Sequence, residues 1–155
     1  MKYPEAKQVN HRSVRGLLVA GALLLGGCGN SQLPVAEGGS VDWDDLRGQW
    51  VLVNYWAEWC KPCREEIPEL NALDADAGVT VLAVNFDDIQ GQALIDLGQD
   101  MGITYTMLTQ DPGPDFGWDL PVGLPATFIV DPQGALVQAR FGPQTEEQLR
   151  ALISQ

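Results

Sequence analysis

The segment WVLVNYWAEWCKPC, residues 50–63, decides the fold. Its first half is rich in β-branched and aromatic residues, which predicts a strand. Beyond it, apolar residues recur three or four positions apart, which predicts a helix from Pro62 to about Ala77. A Cys-x-x-Cys pair between strand and helix places Cys60 at the helix N-terminus, where unpaired N–H groups and the helix dipole favour a thiolate. Cys60 and Cys63 are therefore predicted to close and reopen a disulfide.

Two other uses of these cysteines are weaker. A structural zinc ion needs four ligands, whereas the chain has three cysteines and one histidine, and that residue, His11, lies in a segment expected to be removed. A purely structural Cys60–Cys63 bridge closes so short a loop that it would stabilise the fold little. We therefore expect redox chemistry with no metal and no cofactor other than the disulfide itself.

The N-terminus predicts export. A basic leader precedes the apolar run 16–25, which is shorter than the ~20 residues of a membrane-spanning helix. Residues 25–28, Leu-Gly-Gly-Cys, resemble the bacterial lipobox, so we interpret 1–27 as a lipoprotein signal peptide and Cys28 as the lipidated residue. The alternative is a signal peptide cut nearby without lipidation. Because Gly29 is not the aspartate that retains lipoproteins in the inner membrane, the periplasmic face of the outer membrane is favoured.

Composition and charge characterise the chain that follows the predicted signal peptide. Residues 28–40 are rich in Gly, Ser, Pro and Gln and are predicted to be a flexible tether, followed by one domain over 41–155. Removing residues 1–27 takes away four of nine basic and one of 21 acidic residues, which leaves 5 against 20, or −15. Such a surface repels nucleic acid, which we exclude as a partner. We interpret the acidity as an aid to solubility or an adaptation to salt, and expect a monomer.

The remaining segments predict an α/β fold. The order is β-β-α-β-α-β-β-β-α, a central mixed sheet with helices on both faces. Thr145 and Gln148 form a capping box for the last helix. The predicted strands are 41–43, 50–55, 79–85, 104–108, 126–130 and 135–141, the predicted helices are 62–77, 92–101 and 146–153, and 111–124 is predicted to be loop.

Two stretches, 48–68 and 123–131, give the chain its resemblance to the thioredoxin superfamily, specifically the TlpA/ResA-like extracytoplasmic branch. The resemblance covers about residues 35–155 and implies a thioredoxin-like fold. It implies that Pro125 is cis and lies against the cysteines, and that the backbone of Leu124 pairs with bound substrate. Trp59, next to Cys60, is expected to contact substrate as well.

Three positions bear on mechanism. Asn54 replaces the buried aspartate of thioredoxin and cannot act as an acid or base. Glu66 matches the glutamate of the branch and lies on the same helical face as Cys63. One hypothesis is that a desolvated Glu66 with a raised pKa handles the proton of Cys63, and the alternative is a solvated glutamate. Ala126 replaces a glutamate typical of relatives devoted to cytochrome c maturation, which weakens that role.

An aromatic pair precedes Pro125 in the sequence. Phe116 and Trp118 could line a substrate groove. The favoured alternative is that one is core and the other covers it.

The leading function is a thiol:disulfide oxidoreductase acting mainly as a reductase. Cys60 attacks a disulfide in a client protein, and Cys63 resolves the mixed disulfide. A membrane electron-donor protein would then have to restore the dithiol. The alternatives are a disulfide oxidase or isomerase, and a lipid-anchored binding or chaperone-like module without turnover. A peroxidase is disfavoured, because the sequence contains no Pro-x-x-x-Thr-x-x-Cys segment.

Overall fold

The computed structural model describes residues 32–154. The secondary-structure elements in chain order are strands β1 (Gln32–Pro34) and β2 (Ser40–Asp42), a 3-10 turn (Trp43–Leu46), strand β3 (Trp50–Trp56), helix α1 (Lys61–Asp74), strand β4 (Val79–Asn85), helix α2 (Gly91–Met101), strand β5 (Thr106–Leu108), the short helix α3 (Gly113–Phe116), strands β6 (Ala126–Val130) and β7 (Leu136–Phe141), and helix α4 (Glu146–Ile153).

The central sheet has five strands in the order β5-β4-β3-β6-β7. Strands β3, β4 and β5 are parallel to one another, β6 pairs antiparallel with β3, and β7 pairs antiparallel with β6. The predicted mixed sheet is confirmed. Because β3 is the central strand, the redox motif that follows it lies in the middle of the edge at which the strand ends.

The alternation of side chains along β3 divides the core in two. Leu52 and Trp56 point to one face, where they pack with residues of α1, α2 and α4. Val51, Val53 and Tyr55 point to the other, which is covered by the 3-10 turn and the α3 segment. Helices thus lie on both faces, but the three long ones share one of them.

The predicted tether over 28–40 is wrong from Gln32 onward. Strands β1 and β2 form an antiparallel hairpin, and Leu33 is fully buried. Next to β1, the backbone N–H of Ala36 donates to Met107 O at 2.9 Å, so the segment lies along β5. The glycines that suggested flexibility, Gly38 and Gly39, form the turn between the strands with φ of 93° and 83°.

Smaller differences occur at element ends. Helix α1 ends at Asp74 rather than Ala77, and the predicted loop 111–124 contains the short helix α3. The predicted signal peptide and Cys28 lie outside the described residues. Between residues 32 and 154, no helix combines the length and apolar character needed to cross a membrane.

Candidate redox site

Cys60 and Cys63 form a disulfide at the N-terminus of α1, with their Cα atoms 5.3 Å apart. Cys60 is the N-cap residue, and its Sγ accepts a hydrogen bond from the backbone N–H of Cys63 at 3.2 Å. After reduction, the same N–H and the positive end of the helix dipole would stabilise a thiolate on Cys60. Both cysteines are buried, so a partner must approach closely.

The proline loop lies beside the redox motif. The Leu124-Pro125 bond is cis, as the resemblance implied. Pro125 O accepts a hydrogen bond from Gly142 N at 2.9 Å, and the next residue, Ala126, pairs with Tyr55 near the end of β3. Leu124 is partly buried and packs against the cluster that contains both cysteines. The structure therefore brings the two sequence segments of the predicted site together.

Trp59 forms an exposed apolar surface next to Cys60. Its side chain is 65% exposed, and its indole Nε1 donates to Asp87 Oδ2 at 2.9 Å. The ring meets Phe86 edge-to-face, with centroids 6.4 Å apart. The hydrogen bond and the ring contact restrict the orientation of this exposed aromatic side chain.

Glu66 is buried in the core, one helical turn after Cys63. Its side chain is 1% exposed, Oε1 accepts from Asn54 Nδ2 at 2.6 Å, and Oε2 accepts from Gln144 N at 3.0 Å. Burial raises the pKa of Glu66 to about 7, against the lowering effect of the hydrogen bonds from Gln144 and Asn54. The alternative of a solvated glutamate is wrong. A group of this pKa can accept or release a proton near neutral pH.

A network of polar residues surrounds this carboxyl group, and the sequence singled out Asn54 among them but not Thr127, Tyr105 or Gln144. Asn54 Nδ2 also donates to Thr127 Oγ1 at 3.1 Å, and Tyr105 Oη donates to Asn54 Oδ1 at 3.2 Å. Desolvation by burial, with the charge of Glu66 as a second cause, raises the pKa of Tyr105 well above its usual value. No sequence motif contains Tyr105 or Gln144, because each lies far from Glu66 in the sequence.

The favoured interpretation of the aromatic pair before Pro125 is confirmed. Trp118 is buried, stacks on Phe128 with ring centroids 5.4 Å apart, and donates its Nε1 hydrogen to Tyr55 Oη at 2.8 Å. Phe116 is partly buried and stacks on Trp43 at 4.1 Å. The pair therefore belongs to the core on the second face of the sheet.

Across residues 32–154, no group of three or more His, Cys, Asp or Glu side chains is placed to bind a metal ion. The redox-capable group there is the Cys60–Cys63 pair itself.

Comparison with known proteins identifies the family of this chain and several relatives. The sequence pattern of the AhpC/TSA family matches residues 28–139. The chain belongs to the AhpC/TSA family. Relatives of this AhpC/TSA chain include the thiol:disulfide interchange protein HelX of Rhodobacter capsulatus, 43% identical over 113 residues, or 72% of this chain and 63% of HelX. Another is the thiol-disulfide oxidoreductase ResA of Bacillus thuringiensis, 32% identical over 121 residues, or 76% of this chain and 69% of ResA.

The fold of this AhpC/TSA chain is thioredoxin-like. A crystal structure of a thiol:disulfide interchange protein of the thioredoxin family from Chlorobium tepidum superimposes with a TM-score of 0.67 at 24% identity. The match covers 79% of this chain and 90% of that one. The resemblance to the thioredoxin superfamily is confirmed, while the chain spans only about two thirds of the length of HelX and ResA.

Proposed function

We propose that this protein is an extracytoplasmic thiol:disulfide oxidoreductase that acts mainly as a reductase of protein disulfides. The observation that carries the proposal is the Cys60–Cys63 disulfide at the N-terminus of α1, beside the cis Leu124-Pro125 bond. The similarity to HelX, a thiol:disulfide interchange protein, and to ResA, a thiol-disulfide oxidoreductase, supports the same chemistry.

The reaction begins from the dithiol. The Cys60 thiolate attacks one sulfur of a client disulfide, which forms a mixed disulfide and releases the other client sulfur as a thiolate. The Cys63 thiolate then attacks Cys60 Sγ, which breaks the mixed disulfide and releases the second client thiol. Two electrons pass to the client, and the protein is left with the Cys60–Cys63 disulfide.

Cys63 must lose its proton before it can attack, and Glu66 is the proposed acceptor. The carboxyl group lies three residues after Cys63 on the same helical face, and its pKa of about 7 suits exchange near neutral pH. Asn54 and Gln144 act as positioning residues, since each donates a hydrogen bond to one carboxyl oxygen.

Substrate contact falls to the surface around the disulfide. The backbone of Leu124 is proposed to pair with the client, while Trp59 packs against it through an exposed ring. The position of this loop supports the proposal, since Ala126, two residues after Leu124, pairs with Tyr55 near the end of β3.

The cellular setting completes the proposal. Residues 1–27 act as a signal peptide, and Cys28 carries the lipid that holds the domain at the periplasmic face of a bacterial membrane, with the outer membrane favoured. A monomer would collect electrons from a membrane electron-donor protein and deliver them to disulfide-containing clients. Disulfides persist in that compartment, so a dedicated donor is required to restore the dithiol.

Reduction of insulin in the presence of dithiothreitol tests this proposal. The wild-type protein should accelerate insulin precipitation, and Cys60→Ser should abolish the acceleration. Cys28→Ser is the matched control, because it removes the cysteine outside the redox pair and should leave the rate unchanged. An inactive wild type would contradict the proposal and favour the binding module. Full activity in Cys60→Ser would contradict the proposal as well, because the reduction would then not depend on Cys60.

The reduction potential of the Cys60–Cys63 couple tests the direction. It can be measured by equilibration in glutathione buffers, followed by thiol trapping. A reductase is expected near the thioredoxin value of about −270 mV, whereas a value near −120 mV would make the protein an oxidase.

A further inference from the structure

A cavity of about 240 Å³ opens beside the redox site, where β4 and β5 end. It lies on the β4 side of β3, whereas the proline loop lies on the β6 side. Its walls are largely apolar, and one wall residue, Leu120, is 47% exposed at the surface. The apolar wall residues are Val84, Phe86, Ile89, Leu108 and Leu120. A hydrocarbon chain entering this cavity would be removed from water on several sides.

Charges in the cavity have a single sign. Asp88 and Asp111 line it, and none of the described residues that line it is basic. Asp111 Oδ1 accepts hydrogen bonds from Tyr55 Oη and Gly113 N, and Asp88 Oδ1 accepts from Gln90 Nε2 at 2.7 Å. These donors are neutral, so within the described residues of the cavity the two negative charges are not neutralised. Apolar walls ending at carboxylates suit a Lys or Arg side chain, whose methylene stem is apolar and whose head is cationic.

The cavity is connected to the redox motif. Phe86, in its wall, meets the ring of Trp59, and Phe86 N donates to Trp56 O at 2.8 Å. Trp59 directly precedes Cys60. A polypeptide whose disulfide lies at Cys60 would therefore extend over Trp59 into the cavity.

We propose that this cavity is a client subsite that takes a Lys or Arg side chain near the client disulfide. The inference rests on the proposed function and adds a substrate class to it, namely disulfide-containing polypeptides with a basic residue beside the reactive cysteine. Asp88 and Asp111 bind the cationic head, and the apolar wall binds the stem.

Peptide disulfides that differ at one position test the charge preference. Lys, norleucine or Glu is placed at each position flanking the cysteine in turn, and the second-order rate constant with the reduced protein is measured. At the preferred position, the Lys peptide should react about fivefold faster than the norleucine peptide, and the ratio should fall as salt is added. The same ratio measured with dithiothreitol corrects for the intrinsic reactivity of each peptide.

Asp88→Asn tests the carboxylate. The substitution preserves the Oδ1 acceptor for Gln90, and Asn tolerates the positive φ of 54° at this position. The Lys preference should fall to about twofold. Asp96→Asn is the matched control, because it removes the same charge from an exposed position on α2 and should leave the preference unchanged.

The outcomes separate the subsite from the redox function. Hydroxyethyl disulfide, small and neutral, serves as the probe of redox chemistry alone. Reduction of this probe with no Lys preference at any position, or with a preference that Asp96→Asn weakens as much as Asp88→Asn, would overturn the subsite and leave the oxidoreductase standing. No reduction of the probe by the wild type would overturn both.

Discussion

Replacing Glu66 by Gln should remove a pH dependence of stability that the wild type carries. The carboxyl group is 1% exposed, and burial raises its pKa from 4.5 to about 7. Gln has nearly the same shape but does not titrate. It offers one acceptor where the structure supplies two donors, from Asn54 and Gln144, so one donor loses its partner. That loss costs about 1–3 kcal/mol and is independent of pH.

The size and sign of the effect follow from the two pKa values. Between pH 4.5 and about 7 the folded state holds a proton on Glu66 that the unfolded chain has released, so the free energy of unfolding falls as the pH rises. The stability is fully present below the unfolded pKa of 4.5 and is lost as the pH rises through the folded pKa of about 7. The difference between the pKa values of 4.5 and about 7 corresponds to about 3 kcal/mol.

The pH dependence of the unfolding free energy can be measured by urea unfolding of the oxidised protein, followed by far-UV circular dichroism from about pH 4 to about pH 8. The difference in unfolding free energy between the wild type and Glu66→Gln should shrink by about 3 kcal/mol across the window. Glu65→Gln is the matched control at the adjacent exposed position, and its difference should stay flat. A constant difference between the wild type and Glu66→Gln would refute a carboxyl group that titrates near pH 7.

Three further outcomes are expected. Cys63→Ser should accumulate a mixed disulfide between Cys60 and a client, seen as a thiol-sensitive band on a non-reducing gel, because the resolving sulfur is missing. Asn54→Asp should lower stability by about 3–5 kcal/mol at about pH 8 and by less at about pH 5, since it places a second carboxyl group against Glu66 in the core. Thr145→Ala should cost about 1 kcal/mol, measured as a lower Tm, because the capping box of α4 is lost.

A specific outcome would contradict each of these three predictions. A Cys63→Ser protein that releases its client as fast as the wild type would mean that Cys63 does not resolve the intermediate. Equal losses for Asn54→Asp at both pH values would mean that the two carboxyl groups do not interact. A Thr145→Ser variant, which keeps the capping oxygen, should retain most of the stability, and an equal loss in both variants would contradict the capping argument.

Elements with local signals could be read from the sequence. Strand β4 was predicted at its observed bounds, because a continuous apolar run between Gly78 and Asp87 is typical of a buried parallel strand. Helix α4 was also predicted at its bounds, since the capping box is a local device, and the structure contains both of its hydrogen bonds. Strand β1 was missed because its three residues carry little periodicity and are held by a partner strand and by β5.

The site shows the same division. The positions of Cys60, Cys63 and Pro125 follow from motifs, so their proximity could be expected. Helical spacing placed Glu66 on the face of Cys63, but its environment could not be read locally. One of its hydrogen-bond donors, Gln144, is 78 residues away in the sequence, and this contact exists only once the chain has folded.

The position of the N-terminal hairpin determines when it can dock during folding. Pro34 O accepts from the hydroxyl of Thr109, 75 residues later in the chain, and Val35 bridges to Leu108 at the edge of the sheet. During synthesis from the N-terminus, β1 is made before β5 and can dock only after β5 has formed. Docking then costs the entropy of closing a long loop. Because these contacts close so long a loop, we expect them to be weak in the folding transition state. The hairpin should therefore mainly lower the unfolding rate of the domain and have little effect on its folding rate.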